Sequence, residues 1–455
     1  MHFQLQFGVD LFFWAFLQST TEEYRWMALL KVTQVTAQTR VSCAHSSLSF
    51  LIGTTNPIHQ SGHTGSLWDG SFAGPGNDDA IIDFAWRALH MTTVAAKSIT
   101  TEFYHRPYTK SYFMGCSTGG RQGIKAMSAF PEDYDGLILG SPANPFGQLM
   151  PWQAKQGHQV HPVGSARWIP QDTWKLIHAE ALRQCDMIDG VQDGIISDPL
   201  ACDFHPETLK CQLNADPSTC LTSKQLDALR DLYAPYHLGP DNQTYVFSPF
   251  VPGGEYAYPQ GLVGDTPFQM PGDYYRYFVL NDTTWQDEQL DEAVVTMGID
   301  LNPGQMDTYS PDLTAFFARG GKILQYAGWD DELVSTGHSN KWFEDVTAHT
   351  IAHSDLDPND HFHIESVNRA GPLSDLTKLG NGAWAFGGVL GRHFGGPTVT
   401  DEAPYDIQTA IVNWLEFDRE VTHLVAAKYR DDDEHSGGMR IAFTRKLCPV
   451  GVSLL

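Results

Sequence analysis

Positive charge is what this chain of 455 residues has least of. Its 29 lysine and arginine residues stand against 54 aspartate and glutamate residues, and the formal net charge is -25. Nucleic acids and anionic membrane surfaces would repel so acidic a protein. The composition therefore argues against both as partners and suits a protein that works in an acidic or extracellular setting.

Long apolar runs are missing as well. No segment approaches the roughly 20 apolar residues that a membrane-spanning helix needs. The apolar stretch at residues 7–17 is interrupted by Asp10 and follows no lysine or arginine, so it is a weak candidate for a signal peptide. We expect no membrane partner, and a secretion signal is not clearly legible.

Cysteine pairs with Cys-x-x-Cys spacing are also absent, which argues against a zinc ribbon or a thioredoxin-like redox site. Four of the seven cysteines crowd between residues 185 and 220, whereas Cys43, Cys116 and Cys448 stand apart. The clustered four favour two local disulfides, and disulfides persist in oxidising compartments. We therefore expect a secreted protein, and the partners of the three separate cysteines stay open.

A strand–helix–strand pattern is present in the first third of the chain. Residues 77–103 carry apolar side chains at helical spacing and predict a long helix. A short apolar strand at 111–115, a helix at about 120–130 and a buried strand at 134–140 follow. This order is typical of a βαβ unit in a parallel sheet.

The chain changes character in its middle. Residues 144–306 are rich in Pro, Asn, Asp, Trp and Tyr and have few sheet-like runs, so we interpret them as an inserted cap or lid domain. Residues 1–143, of which 1–60 are atypical, and residues 307–455 would form the two parts of one α/β core. The remaining predicted elements are cap helices at 168–184 and 223–234, a buried strand at 322–329, and helices at 338–350 and 405–417.

The strongest local motif is Gly115-Cys116-Ser117-Thr118-Gly119, which matches Gly-x-Ser-x-Gly between a predicted strand and a predicted helix. A serine on such a turn needs small neighbours, and the turn lifts its hydroxyl above the sheet. The backbone N–H of Thr118, near the helix N-terminus, would face the oxyanion of an acyl-transfer reaction. We predict that Ser117 is a nucleophile; a glycine-rich turn with a buried serine is the alternative.

A serine nucleophile of this type needs an acid and then a histidine later in the chain. Asp330 and Asp331 follow the predicted strand at 322–329, where that acid belongs. Only one of two adjacent carboxylates can point at an imidazole, and the residues alone do not choose between them. Several histidines lie downstream, and most of them are expected on the surface.

An acidic run in the middle segment suggests a cation site. Asp186, Asp189 and Asp193 occur together with Gly190 and Gly194, whose freedom permits turns that gather the carboxylates on one side. Ca²⁺ takes about six to eight oxygen ligands, and backbone carbonyls can complete such a set. The run lacks the glutamate of an EF-hand, so we interpret it as a different calcium loop, with an acidic surface turn as the alternative.

These motifs together resemble the tannase and feruloyl esterase family of secreted serine esterases. The resemblance implies an α/β-hydrolase fold with an inserted calcium-binding cap, and hydrolysis of feruloyl- or galloyl-type aromatic esters by a Ser-His-Asp mechanism. The substrate would be a small aromatic ester or an ester of plant cell wall or polyphenol. The segments that carry the resemblance are SGHTGS (61–66), GCSTGGRQG (115–123), CDMIDGVQDGIISDP (185–199), GGKILQYAGWDDELVS (320–335) and GNGAWAFGG (380–388).

The resemblance also implies roles for single residues. Asp331 corresponds to the catalytic acid, because the family pattern Gly-Trp-Ala-Asp has alanine at the position of Asp330. The implied Ca²⁺ ligands are the carboxylates of Asp186, Asp189 and Asp193 and the carbonyls of Val191 and Ile195. The implied disulfides of the cap are Cys185–Cys202 and Cys211–Cys220.

The sequence departs from the family near the expected histidine. Family members carry a His-Cys pair shortly before the GNGAWAFGG segment, but residues 365–379 contain neither residue. His393 is the nearest substitute and our predicted base, although Phe394 follows it and leaves Cys116 without the family's disulfide partner. A glycine-rich N-terminal loop for a second oxyanion N–H is also missing. These departures motivate an alternative: a catalytically impaired, calcium-binding relative that only binds plant polyphenol or polysaccharide.

Overall fold

The computed structural model describes residues 69–367, 385–387, 398–430 and 441–449, together with His63 and the backbone of three strands that precede it. No helix in these ranges is long and apolar enough to cross a membrane.

The described parts of the chain contain both strands and helices. The strands are β1 (Phe13–Thr20), β2 (Glu23–Leu30), β3 (Ala37–Ser42), β4 (Lys110–Cys116), β5 (Gly136–Gly140), β6 (Tyr236–Leu238), β7 (Thr244–Phe247), β8 (Lys322–Gly328), β9 (Phe362–Val367), β10 (Leu424–Tyr429) and β11 (Ile441–Leu447). The helices are α1 (Asp78–Ile82), α2 (Ala88–Tyr104), α3 (Thr118–Ala129), α4 (Phe146–Val160), α5 (Gln171–Cys185), α6 (Ser223–Leu232), α7 (Met270–Asp273), α8 (Glu292–Leu301), α9 (Thr314–Phe317), α10 (Thr336–His353) and α11 (Ile407–Phe417).

A five-stranded sheet in the order β3-β4-β5-β8-β9 forms the centre of the molecule. Strands β4, β5, β8 and β9 run parallel, and β3 pairs antiparallel with β4 at the edge. Successive side chains of a strand point to opposite faces. In β4, Tyr112 and Met114 accordingly pack on one face and Phe113 on the other. Both faces of the sheet are therefore apolar and need a covering layer.

Helices cover both faces. Ile411 and Trp414 of α11 pack on the face that carries Tyr112, whereas Ile124 of α3 and Trp342 of α10 pack on the opposite face. The predicted α/β architecture with a parallel βαβ unit is confirmed. The predicted helix at 77–103 is present as α1 and α2, which are joined by one turn of π-helix at Asp83–Arg87.

The sheet has an edge strand that the sequence pattern does not predict. β3 pairs with β4 from Ala37 opposite Gly115 to Ser42 opposite Lys110. Its sequence, AQTRVS, has only two clearly apolar residues and no regular alternation, so periodicity gives no signal there. An edge strand needs less apolar surface than a central one, because only one side of its backbone is paired within the sheet.

The middle segment is mainly helical, and its core is continuous with residues outside it, such as Phe84 and Leu333. It contains α4–α8 and the small hairpin of β6 and β7. Trp152, Trp174, Phe247 and Tyr258 are among the fully buried aromatic side chains of this core. Both implied disulfides, Cys185–Cys202 and Cys211–Cys220, are formed. The boundaries at 143/144 and 306/307 stay predictions.

Candidate active site

Ser117 lies on a sharp turn between β4 and α3. Its φ and ψ are 56° and -120°, a backbone conformation that costs free energy for a residue with a side chain. A Cβ atom at Gly115 would come within 2.6 Å of the Gly119 carbonyl, and one at Gly120 within 2.9 Å of the Gly140 oxygen. Gly115 of the motif and Gly120 just after it are therefore required by close backbone approach, as in a nucleophile elbow.

The turn is fixed by backbone hydrogen bonds. The Ser117 N–H donates to the Gly140 carbonyl at 2.9 Å, and the Ser117 carbonyl accepts from the Ala143 N–H at 3.0 Å. Thr118 is the first residue of α3, so its N–H has no acceptor within the helix. The strained serine and this N–H therefore lie together at the carboxyl edge of the sheet.

Asp331 lies in the loop that follows β8 and is 2% exposed. Its Oδ1 accepts the N–H groups of Leu333 at 3.0 Å and Val334 at 2.9 Å. Its Oδ2 is buried and has no hydrogen-bond partner among the described residues. Burial raises the pKa of Asp331 to about 7, opposed by those two N–H groups and by a hydrogen bond from Ser141. The carboxyl has one oxygen held and one that can accept a further donor.

Ser117 and Asp331 share one edge of the sheet. Ser117 follows β4 and Asp331 follows β8, and β5 lies between these two strands. Neighbouring strands are about 4.8 Å apart, so two spacings of about 10 Å in total separate β4 from β8. Burial raises the pKa of the neighbouring Cys116 thiol to about 12, and the negative charge of Asp331 contributes to this rise. Ser117 and Asp331 therefore lie at the same edge of the sheet, with β5 between their strands.

The predicted base, His393, lies outside the described residues, as does most of the run at 365–379. Among the described histidines, His338 follows Asp331 most closely in the chain, and it is buried. Its ring is stacked on Phe247 at 3.9 Å, and its Nδ1 is 3.2 Å from the Tyr245 hydroxyl. Burial, together with Lys341, lowers the pKa of His338 to about 3. The role of His393 stays a prediction.

The acidic run of the middle segment forms a loop held by its own backbone. Asp186 Oδ1 accepts the N–H groups of Asp193, Gly194 and Ile195 at 3.1–3.3 Å. Asp189 accepts the Val191 N–H at 2.9 Å. Gly190 and Gly194 both have positive φ, as predicted for the turns of this loop. The loop is thus folded back onto Asp186, and part of the hydrogen-bonding capacity of its carboxylates is used by the loop itself.

Arg445 of β11 reaches this loop from the other end of the chain. Its Nη2 is 3.3 Å from Asp193 Oδ2 and 3.8 Å from Asp189 Oδ2, and it donates to the Ser197 hydroxyl at 3.0 Å. In the described parts of the chain, no group of three or more His, Cys, Asp or Glu side chains is arranged to hold a metal ion. As the side chains stand, they fit a guanidinium better than Ca²⁺.

Comparisons with known proteins show the family of this chain and support its fold. The sequence pattern that defines the family described as "Tannase and feruloyl esterase" matches residues 29–263 and 269–451. The chain belongs to this family. The chain is 36% identical to a probable feruloyl esterase B-2 of Aspergillus flavus over 384 residues, which are 83% of this chain and 70% of that protein.

Solved structures of the tannase and feruloyl esterase family have a similar fold. An esterase from Aspergillus oryzae is 30% identical, with a TM-score of 0.76 over 86% of this chain and 74% of that one. Feruloyl esterase B from the same organism is 29% identical, with a TM-score of 0.73 over 84% and 73%. A tannin acyl hydrolase from Aspergillus niger shares the fold at 18% identity, with a TM-score of 0.62 over 82% and 68%.

Family membership identifies the chain as a carboxylic ester hydrolase. The structure adds three polar residues to the neighbourhood of the predicted sites: Ser141, Gln153 and Arg445. Ser141 follows β5 at the edge that carries Ser117 and Asp331, so its place could be found from the strand order. Nothing in the local sequence points to Gln153 or Arg445, because their partners lie 180 and 248 residues away along the chain.

Proposed function

We propose that the protein hydrolyses esters of aromatic acids, of the feruloyl or galloyl type, through an acyl-enzyme. The observation that carries the proposal is the strained Ser117 elbow, with the buried Asp331 two strand spacings away on the same sheet edge. An α/β-hydrolase fold, a Ser-His-Asp triad and secretion belong to this proposal. Two cap disulfides support an oxidising compartment.

The reaction would proceed by acyl transfer. The Ser117 oxygen attacks the ester carbonyl carbon while its proton passes to an imidazole, for which His393 is the candidate. The carbonyl oxygen becomes an oxyanion that accepts from the Thr118 N–H. The carbon–oxygen bond to the alcohol then breaks, and the alcohol takes the proton from the imidazole. Water repeats the sequence on the acyl-enzyme and releases the acid, with Asp331 orienting the imidazole throughout.

The test is the Ser117→Ala variant, measured on methyl ferulate and methyl gallate. Loss of the nucleophile should lower kcat by about 10⁴-fold or more. Ser128→Ala is the matched control, because its hydroxyl donates within α3, to the Ile124 carbonyl at 2.8 Å and the Lys125 carbonyl at 3.3 Å. Unchanged hydrolysis by Ser117→Ala, with the fold intact, would overturn the proposal.

A second candidate function is binding of polyphenol or polysaccharide without turnover. The observation that favours it is Cys116, a buried free thiol at the position where the family resemblance implies a disulfide to a cysteine beside the histidine. Wild-type protein that binds gallate esters but shows no more turnover than Ser117→Ala would support this candidate. A large gap between the two proteins would exclude it.

We also propose that Ca²⁺ binds at residues 186–195 through the carboxylates of Asp186, Asp189 and Asp193 and the carbonyls of Val191 and Ile195. Support comes from Asp186, whose Oδ1 accepts the N–H groups of residues 193–195 and so brings the two ends of the acidic run together. Since Arg445 now faces two of those carboxylates, binding would require the guanidinium to move away. No step of the proposed reaction passes through this loop.

A further inference from the structure

The loop that carries Asp331 is held from the cap. Gln153, a buried residue of α4, donates from its Nε2 to the Leu333 carbonyl at 2.8 Å. The hydroxyl of Ser335 donates to the Pro249 carbonyl at 2.6 Å. A Cβ at Gly261 would come within 2.5 Å of Glu332 Cγ, so the cap backbone also packs directly on this loop. The acid loop therefore has several anchors, and the Gln153 hydrogen bond is one of them.

The Gln153 hydrogen bond differs from the other anchors, because the peptide group that it contacts also contacts Asp331. The Leu333 carbonyl and the Val334 N–H belong to one peptide group. That N–H donates to Asp331 Oδ1 at 2.9 Å, so one peptide accepts from Gln153 and donates to the acid. A donor at the carbonyl oxygen polarises the amide and strengthens the hydrogen bond that its N–H makes, by about 10–30% in condensed phase.

We propose that Gln153 is a positioning residue for the catalytic acid: through the Leu333–Val334 peptide it fixes the orientation of the Asp331 carboxylate. The inference rests on the proposed function, in which Asp331 orients the base. The held oxygen, Oδ1, sets the plane of the carboxylate, and the remaining oxygen, Oδ2, then points in one direction only. A cap residue thereby contributes to the geometry of the hydrolytic centre without contacting substrate.

The chain offers a matched control on the same helix. Gln156 lies one turn after Gln153, is also buried, and donates to the Leu232 carbonyl at 3.0 Å. Both glutamines lack a partner for Oε1 among the described residues. Replacing either by methionine removes one buried amide-to-carbonyl hydrogen bond from a similar environment. Gln156, however, bonds α6 of the cap and has no link to the acid loop.

The experiment compares Gln153→Met with Gln156→Met on methyl ferulate. We expect Gln153→Met to lower kcat several-fold with little change in KM, because the acid acts on the base and not on bound ester. Loss of the Gln153 donor weakens the hydrogen bond from the Val334 N–H to Asp331. This raises the pKa of Asp331 and the pKa of the imidazole coupled to it. The acid limb of kcat/KM should therefore move to higher pH, by roughly half a unit. Gln156→Met should move neither quantity.

Gln153→Asn is the second variant, since it keeps an amide but is too short to reach the Leu333 carbonyl. It should show the same shift of the acid limb if Gln153→Met fails to fold. Equal melting temperatures and superimposable pH profiles of the Gln153 and Gln156 variants would overturn the inference. An inactive Ser117→Ala together with those superimposable profiles would leave the proposed hydrolysis standing and remove only the role of Gln153.

Discussion

The loops that carry Asp331 and Asp189 donate similar backbone hydrogen bonds to these carboxylates, yet the pKa of Asp331 is raised and that of Asp189 is lowered. Asp331, behind β8, accepts two N–H groups of its own loop, and exposed Asp189, in the cap, accepts one. Burial nevertheless raises the pKa of Asp331 to about 7. The Ser197 hydroxyl, followed by the loop N–H and Arg445, holds the pKa of Asp189 below its usual value. Burial dominates the pKa of Asp331, whereas hydrogen bonding dominates the pKa of the exposed Asp189.

This difference matches the kind of cation that each loop can serve. A carboxylate that stays charged at all working pH values suits a lasting cation, such as a guanidinium or Ca²⁺. A buried carboxyl with a pKa near 7 suits a partner whose positive charge appears only during the reaction, as an imidazolium does. The loop of Asp189 can therefore stabilise the fold, and the loop of Asp331 can support catalysis.

Among changes to the two aspartate loops, the largest effect should come from Asp331→Asn. An amide in place of the acid holds the wrong tautomer of the base, and a loss in kcat of about 10³–10⁴-fold is expected. Asp133→Asn is the matched control: Asp133 is also buried with a raised pKa, but it precedes β5 at the opposite edge of the sheet. Steady-state hydrolysis of methyl ferulate measures both variants.

The stability of these variants separates catalysis from folding. The pKa of Asp331 in the folded protein lies above its value in the unfolded chain, so the carboxyl favours folding below its unfolded pKa and loses that contribution as pH rises through about 7. Asp331→Asn should therefore melt no lower than wild type at pH 8. Full activity in Asp331→Asn would remove the distinction between the two loops.

A smaller effect is expected from Asp330→Ala, which restores the family's Gly-Trp-Ala-Asp pattern. The charge of Asp330 adds to burial in raising the pKa of Asp331. Its removal lowers that pKa, so the ionised acid persists to lower pH. The acid limb of kcat/KM should move to lower pH, opposite to the shift expected for Gln153→Met. An unchanged acid limb of the kcat/KM profile would show that the charge of Asp330 is screened.

Local chemistry made part of this site predictable. The Ser117 elbow and the strand before Asp331 depend on residues that are neighbours in sequence, so motif and periodicity were sufficient. The glycines at 190 and 194 likewise revealed their turns, because their positive φ is a local property. The parallel sheet followed from the order of strand and helix alone.

Contacts between distant segments made the rest unpredictable. Gln153 reads as an ordinary polar residue of an amphipathic helix until Leu333 is placed beside it. Arg445 reads as an exposed cation on a polar strand until the acidic loop is found opposite. The edge strand β3 has no apolar alternation, so only its pairing with β4 identifies it. These pairings cannot be predicted from local sequence patterns, because tertiary contacts between distant segments select them.

The smallest effect, and the most direct test of the cap loop, should come from Arg445→Gln. Without Ca²⁺ the variant leaves Asp189 and Asp193 facing each other with no cation between them, and a partly exposed ion pair of this kind contributes about 1 kcal/mol or less. A small fall in melting temperature in chelator is expected. Lys446→Gln, the same change of charge on the exposed neighbouring residue of β11, should have no effect.

Calcium should reverse the order of the melting temperatures of wild type and Arg445→Gln. If the guanidinium and Ca²⁺ compete for the same carboxylates, Arg445→Gln binds Ca²⁺ several-fold more tightly than wild type, and its melting temperature rises more on Ca²⁺ addition. Calorimetric titration with CaCl₂ measures the affinity directly. Weaker Ca²⁺ binding by Arg445→Gln would mean that the arginine supports the ion site instead of competing with it. Equal affinity in all three proteins would place any calcium site elsewhere in the chain.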